Sequence, residues 1–228
     1  MRIWTTILSI TLVLFPTVVL ADVTAALVRN SDKTAVRIFY SGGKEIARQT
    51  LDKKENVTKT TGKIPDGIVK EFNDNGKLLF EWNYKNGKLN GVSKNYFLSG
   101  ELLEDIIYKD NKREGVSKKY FISGKLLTER YFESGELEGM TKVYAGDGKV
   151  VAELNYKKGK LDGETKIYYK NGKLRTVESY ENNQKIRVKS YDPKGKVLVD
   201  HDYTSNKIVT TTTTVKRLKD TNTNKSHK

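Results

Sequence analysis

Lysine recurs at a constant step of 24 residues, and this pattern is the one in the chain that most directly suggests a binding chemistry. The set comprises Lys70, Lys94, Lys118, Lys142 and Lys166. Ammonium groups held in such a row would attract anionic lipid headgroups, anionic glycans or an acidic protein. Alternatively, the lysines keep a β-surface soluble and prevent its strands from pairing with other chains. We call this set the lysine ladder and predict it as the candidate binding surface, with both explanations open.

A set of acidic residues follows the same step but offers no catalytic chemistry. It comprises Glu81, Asp105, Glu129 and Glu153, and Val177 interrupts it. In a β-repeat these carboxylates would stack about 10 Å apart, too far to share a calcium ion or to act as an acid–base pair. We therefore interpret them as neighbours of the lysine ladder on a solvated sheet.

Histidine and cysteine, which supply many nucleophilic and metal sites, are nearly absent. The chain has no cysteine and two histidines, His201 and His227. It therefore lacks thiolate ligands, a histidine pair for zinc within the repeats and a phosphate-binding P-loop. We expect no catalytic residues, no metal site, no cofactor and no nucleic-acid partner, and we expect the protein not to be an enzyme.

The N-terminus and the net charge predict export to a cell envelope. In residues 1–21 a basic start precedes an apolar run, and cleavage is expected after Ala21, which is typical of a signal peptide. The alternative is an uncleaved N-terminal anchor. The net charge of +14 and the absence of cysteine suit a periplasmic or extracellular protein of a bacterial cell envelope.

Glycine shows that most of the chain is organised around the same step. One set comprises Gly67, Gly91, Gly115, Gly139 and Gly163, and a second comprises Gly76, Gly100, Gly124, Gly148 and Gly172. A third set contains both glycine and asparagine: Gly87, Asn111, Gly135, Gly159, Asn183 and Asn206. Self-similarity at a fixed period of this length predicts a repeat architecture, in which each unit buries its apolar surface against its neighbours.

Each unit has the pattern of a β-hairpin. Two short runs rich in β-forming residues are separated by turn segments such as Leu98-Ser-Gly100-Glu. Glycine of the second set supplies the positive φ that such tight turns need. Asparagine in the third set is the substitute that best tolerates the same left-handed conformation.

Large side chains form columns when the units are aligned. The first aromatic column comprises Phe72, Tyr96, Tyr120, Tyr144 and Tyr168, and the second comprises Tyr84, Tyr108, Phe132, Tyr156 and Tyr180. The turn geometry predicts Phe72 opposite Leu78, and repetition of this aromatic–aliphatic pair predicts a continuous apolar seam. Tyrosines stacking on sugar rings or choline groups is the alternative. The apolar seam is favoured because Trp82 is the only tryptophan after residue 21.

These patterns predict an all-β fold made of antiparallel β-hairpin repeats with a 24-residue period. We expect an elongated, single-layer, twisted meander, with a curled half-barrel as the alternative. The expected boundaries are a signal peptide over 1–21, a degenerate N-terminal capping hairpin and linker over 22–63, and β-hairpin repeats over 64–208. A Thr-rich edge and a basic disordered tail are expected over 209–228.

Short motifs within the units carry a family resemblance. They are Tyr84-Lys-Asn-Gly-Lys-Leu-Asn-Gly91, Tyr156-Lys-Lys-Gly-Lys-Leu-Asp-Gly163 and Tyr168-Tyr-Lys-Asn-Gly-Lys-Leu174. The unit resembles the MORN repeat, and more closely the variant of the bacterial YwqK family, often described as antitoxin-like. The resemblance spans residues 64–208. It implies open β-hairpin arrays used for protein contacts, in some proteins at membrane phospholipids, and for an antitoxin it implies a toxin partner.

We therefore predict an exported, non-enzymatic repeat scaffold that mediates protein–protein interaction in the cell envelope, through a partner that the sequence does not identify. The alternative is a basic β-surface that binds an anionic membrane or cell-envelope glycan through the lysine ladder. A toxin-neutralising antitoxin or immunity protein is the third possibility. Self-association through an exposed edge strand at either end of the array also stays open.

Overall fold

The computed structural model describes residues 22–73, 75–205 and 207–209, and within these residues the protein is all-β. Twenty-one strands form one open sheet, which is antiparallel except at one pair of strands. This confirms the predicted all-β hairpin array. The predicted signal peptide, Asn206 and almost all of the predicted Thr-rich tail lie outside the described residues.

Four strands precede the repeats and form one end of the sheet. They are β1 (Val23–Arg29), β2 (Ala35–Ser41), β3 (Lys44–Leu51) and β4 (Val57–Gly62). They pair in the order β4–β3–β2–β1, and β1 then runs parallel to the first repeat strand, with Val23 opposite Val69. We predicted a single capping hairpin and a linker over this segment, whereas the structure forms four paired strands there.

The remaining strands follow one another along the sheet as antiparallel neighbours. They are β5 (Gly67–Phe72), β6 (Leu78–Lys85), β7 (Lys88–Leu89), β8 (Gly91–Tyr96), β9 (Leu102–Lys109), β10 (Lys112–Arg113), β11 (Gly115–Tyr120), β12 (Leu126–Glu133), β13 (Glu136–Leu137), β14 (Gly139–Tyr144), β15 (Val150–Lys157), β16 (Lys160–Leu161), β17 (Gly163–Tyr168), β18 (Leu174–Glu181), β19 (Gln184–Tyr191), β20 (Val197–Asp202) and β21 (Lys207–Val209). Each two-residue strand is the start of the longer strand after it, from which a bend at a positive-φ glycine such as Gly91 separates it.

One margin of the sheet consists of three-residue turns that end in the second glycine set. In the turn before β9, Gly100 donates its backbone N–H to the carbonyl of Phe97 at 2.9 Å, and Phe97 donates to Glu101 at 2.8 Å. Gly100 has a φ of 106°, and the equivalent glycines in the other units also have positive φ. This is the type I turn followed by a left-handed glycine that a three-residue hairpin loop uses. The predicted turn role of the second set is therefore confirmed.

The other margin consists of two-residue turns with positive φ at both central residues. Asn86 and Gly87 have φ of 52° and 72°, and in the next unit Asp110 and Asn111 have φ of 50° and 70°. Asparagine has a second role, because the Asn111 side-chain oxygen accepts the backbone N–H of Leu89 at 2.7 Å. Asparagine in the third set thus bonds one unit to the preceding one, which glycine does not do.

A β-bulge in every unit fixes the predicted aromatic–aliphatic pair. Phe72 lies opposite Leu78, and the equivalent pairs form in the following units. The register shifts between Glu71 and Phe72, which leaves Leu79 as the extra residue of the bulged strand. Strict alternation of faces, on which the prediction of a single seam depended, fails at this point.

The best-buried core lies where the N-terminal strands meet the first repeat. Phe39 of β2 is fully buried and packs edge-on against Tyr84 of β6, with ring centroids 5.6 Å apart. The Tyr84 hydroxyl donates to Gln49 of β3 at 3.4 Å, although β3 and β6 are not neighbours in the sheet. The sheet therefore curls at this end, and β1–β3 cover one face of the first repeat.

A buried ion pair joins the same two parts. The Arg37 guanidinium of β2 contacts the Glu71 carboxylate of β5 at 3.0 Å, and the Trp82 indole N–H donates to that carboxylate at 3.1 Å. Only 2% of the Glu71 side chain is exposed. A buried carboxylate held by both donors ties the N-terminal strands to the repeat array, since loss of either donor leaves part of the charge unpaired.

The turn geometry gives a testable prediction with an internal control. Gly100→Val is expected to lower the free energy of unfolding by about 1–3 kcal/mol, because a β-branched residue is strained at a φ of 106°. The matched control is Gly146→Val, in another turn of the same margin, where φ is not in the left-handed region and an added Cβ meets nothing within 4 Å. Thermal unfolding followed by circular dichroism measures both. Equal melting temperatures for the two variants would contradict the turn assignment.

Candidate interaction surface

All five residues of the lysine ladder lie in one row that crosses the strands, and the acidic set lies in the same row. Lys94 is paired with Glu81 on one side and with Asp105 on the other. In strand order the row reads Lys70, Glu81, Lys94, Asp105, Lys118, Glu129, Lys142, Glu153, Lys166, Val177, Lys189 and Asp200. We call this the charge row and its side of the sheet the charged face. Its charges alternate at the spacing of neighbouring strands, about 4.8 Å.

Charge alternation makes the row different from a stripe of positive charge. A ligand above any lysine of the ladder meets a carboxylate on an adjacent strand, so the field of the row largely cancels within a few strand spacings. At the C-terminal end the pairing becomes direct, because Lys189 contacts Asp200 at 3.8 Å and Arg187 contacts it at 2.9 Å. The hydrogen bond from Arg187 lowers the pKa of the Asp200 carboxyl. The row therefore carries pattern rather than net charge.

Tyrosines of the first aromatic column hold the carboxylates of the charge row. The Tyr96 hydroxyl donates to Glu81 at 2.7 Å, and the Tyr168 hydroxyl donates to Glu153 at 2.8 Å. Burial, together with the hydrogen bond to the carboxylate, raises the pKa of each of these two tyrosines to about 12. Each bond joins neighbouring strands from consecutive units, so it fixes the carboxylate orientation as well as the strand pair.

A row of exposed apolar side chains runs beside the charge row on the charged face. It comprises Val92, Ile107, Val116, Tyr131 and Met140, and we call it the apolar stripe. Its pairs are Val92 with Ile107 and Val116 with Tyr131, and the same register carried between units places the five residues side by side. They are between 37% and 48% exposed. Single exposed apolar residues are normal, but five on successive long strands form a patch of the kind that marks interaction sites.

A shallow groove lies where the stripe and the charge row meet. Its volume is about 300 Å³, and its lining consists of Val92, Asp105, Ile107, Val116, Lys118 and Glu129. Apolar groups therefore form one wall and alternating charges form the other. Such a groove can bury an apolar side chain and still offer donors and acceptors of both signs beside it.

The opposite face of the sheet is packed, and the second aromatic column lies there. Tyr84 and Phe132 of this column are buried. A column of small hydroxyl residues at the centre of this face is also buried, with Ser93 fully covered. Ser93 lies opposite Ile106, and the small side chain leaves room for the large one. The two aromatic columns therefore lie on opposite faces and do not form one seam.

The sequence prediction missed two parts of this arrangement. The apolar stripe was not identified, although its residues follow the 24-residue step, because Ile107 and Tyr131 stand in the companion strand of each hairpin. The hydroxyl column of Ser93, Ser117, Thr141 and Thr165 was also missed. A period search over all residue types would have found that column, but only the register reveals which columns share a face.

Comparison with known families identifies the repeat. The family described as MORN repeat variant matches residues 65–86, 89–110, 137–158 and 161–182. These four segments are MORN repeat variants. Residues between the second and third match form β11 and β12, and they pair in the same register as a matched unit, with Gly115 opposite Phe132 as Gly91 is opposite Tyr108. Repeats of this family form a non-catalytic scaffold.

Other comparisons add little. No curated protein matches the chain. Among solved structures the chain is similar to the crystal structure of TarM, at 14% sequence identity and a TM-score of 0.26. That alignment covers 53% of this chain and 19% of the TarM chain, so this chain spans about a fifth of the length of its relative. A likeness of this size carries no functional argument.

Two further searches concern the described residues alone. Within residues 22–73, 75–205 and 207–209, no helix has the length and apolar character needed to cross a bilayer. In the same part of the chain, no three or more His, Cys, Asp or Glu side chains are grouped as in a metal site.

The tyrosine–carboxylate bonds predict a specific pH dependence. The Tyr96 pKa is about 12 in the folded chain and near 10 in the unfolded one. This raised pKa therefore contributes stability that is fully present below pH 10 and is lost as the pH approaches 12. Glu81→Gln is expected to lower the Tyr96 pKa and to leave it above 10, because burial remains. NMR titration of labelled tyrosine rings measures this.

The matched control uses the equivalent pair of another unit. Glu153→Gln is expected to lower the pKa of Tyr168 and to leave that of Tyr96 unchanged, since Tyr168 donates to Glu153. A Tyr96 pKa that is the same in the wild-type and Glu81→Gln chains would show that the carboxylate does not cause the shift.

Proposed function

We propose that this protein is an exported, non-enzymatic scaffold of the cell envelope that binds another protein through the charged face of its repeats. The carrying observation is that the apolar stripe lies directly beside the charge row over five successive long strands. An apolar patch bordered by alternating charges matches the composition of a protein–protein interface, in which an apolar centre is surrounded by polar groups. The repeat family supports a scaffold for binding, and the export and envelope location rest on the N-terminal sequence.

The charge row favours a protein over a purely anionic surface. Lys118 lies between Asp105 and Glu129 on its two neighbouring strands, so a flat anionic membrane above it would also face two carboxylates. A protein can place opposite charges at matching spacings, which a lipid surface cannot do. Electrostatic complementarity of this kind sets specificity and register more than affinity.

Binding of an anionic lipid or glycan through the lysine ladder is the second candidate. Its support is the net charge of +14 and the presence of all five lysines on one face. Cosedimentation with anionic vesicles at ~50 and ~500 mM salt separates it from the first candidate, because screening strongly weakens exposed charge interactions over this range. Binding that is lost at the higher salt and requires the ladder lysines would favour the lipid candidate.

The main proposal is tested by capture of envelope proteins with variants of the stripe. Val116→Glu is expected to abolish binding of the specific partner, because it introduces a charge into the centre of the apolar stripe. Leu98→Glu is the matched control, since Leu98 is 64% exposed and lies in a turn outside the stripe. Capture is carried out at moderate salt, with melting temperatures to confirm folding. The same set of proteins on wild-type and Val116→Glu chains would overturn the proposal.

A toxin-neutralising role is a special case of the same scaffold. It would require that the captured partner be a toxin and that this chain suppress its activity. The antitoxin-like resemblance alone supports this possibility, and the same capture experiment tests it through the identity of the partner.

A further inference from the structure

The charge row has a symmetry property that a stripe of one sign lacks. When a row of alternating charges is turned over by a two-fold axis parallel to the strands, each charge meets either its own sign or the opposite sign. An axis that passes through a strand places like charges together. An axis that passes between two strands places every lysine opposite a carboxylate. The charged face is therefore complementary to a second copy of itself in a definite register.

The axis between β9 and β11 satisfies this condition for eight successive strands of the row. It places Asp105 opposite Lys118 of the second copy and Lys94 opposite Glu129 of the second copy. The two outer pairs are Glu81 with Lys142 and Lys70 with Glu153. All of these residues follow from the observed strand order, so no side chain has to leave its strand register.

The same axis also places apolar groups together. Ile107 comes opposite Val116 of the second copy, and Val92 comes opposite Tyr131 of the second copy. The shallow groove at the junction of the stripe and the charge row is lined by residues of β8, β9, β11 and β12, so its centre coincides with this axis. Side chains of each copy can therefore enter the groove of the other, where they are removed from water.

The shape of the sheet is compatible with such a contact. Two sheets that pack face to face lie about 10 Å apart, with their strands within about 30° of each other. A two-fold axis parallel to the strands produces this aligned arrangement. The N-terminal strands do not obstruct it, because Phe39 and Gln49 pack against Tyr84 on the opposite face.

We propose that the protein the charged face binds is a second copy of this chain, in a two-fold dimer whose axis lies between β9 and β11. This inference rests on the proposed function, since it uses the same surface and specifies the partner. It differs from self-association through an edge strand, which would use the backbone of β4 or β21 and would leave the charge row exposed.

Charge reversal with rescue tests the dimer. Analytical ultracentrifugation of the wild-type chain is expected to show a monomer–dimer equilibrium. Lys118→Glu places two acidic groups together, and the two-fold axis repeats the contact, so we expect the dimer Kd to rise by about tenfold or more. Adding Asp105→Lys to this variant restores opposite charges across the axis, and the Kd is expected to return to within about threefold of the wild-type value.

The double variant also distinguishes the register. With an axis between β11 and β12 instead, the carboxylate introduced by Lys118→Glu would face Glu129 of the second copy, and rescue would fail. Lys166→Glu is the control, because it places a carboxylate beside Glu153 within its own chain but lies outside the eight overlapping strands. We expect it to leave the Kd unchanged. Melting temperatures of all variants confirm that each one folds.

Several results would overturn the inference. These are a monomeric wild-type chain at high micromolar concentration, a dimer that tolerates Lys118→Glu, or a folded double variant that is not rescued. A monomeric chain whose capture of another protein is abolished by Val116→Glu would overturn the dimer and leave the proposed function intact. A dimer that is lost in Lys118→Glu and regained in the double variant supports the inference.

Discussion

The strand register set by two kinds of positive-φ turn is the constraint on which the rest of the repeat array depends. Three-residue turns ending in glycines such as Gly100 form one margin, and two-residue turns such as Asn86-Gly87 form the other. Each turn length permits one pairing of the strands that it joins. Because both turns recur every 24 residues, the same pairing recurs from unit to unit, and side chains at equivalent positions form straight rows across the sheet.

The rows explain how a strongly basic chain can present a face without a large local field. Lysines of one strand and carboxylates of the next fall in the same row, and tyrosine hydroxyls bind some of the carboxylates. Had the register slipped by one residue in every hairpin, the lysines would have moved to the packed face. Charge pairing across strands and burial on the other face therefore depend on the same turns.

The two ends of the described array differ in how they are closed. At the N-terminal end the sheet curls, and the buried Arg37–Glu71 pair with the Trp82 indole joins β2 to the first repeat. The parallel pairing of β1 with β5 inserts the N-terminal strands into the same sheet, and β4 becomes its edge. A repeat array buries apolar surface only between neighbours, so an end unit needs additional packing, which here is concentrated around Phe39.

The sequence by itself determined the repeat length, the hairpin units, the turn glycines and the pairing of Phe72 with Leu78, because turn chemistry and a period of 24 residues are local properties. It also indicated correctly that the carboxylates are neighbours of the lysines. The tertiary structure decided which columns share a face, since the bulge after Glu71 interrupts the alternation on which a sequence argument depends. It also decided that residues 22–63 contribute four strands and curl over the first repeat. Those contacts join Gln49 to Tyr84 and Arg37 to Glu71 across many residues of chain, and no periodicity encodes such pairs.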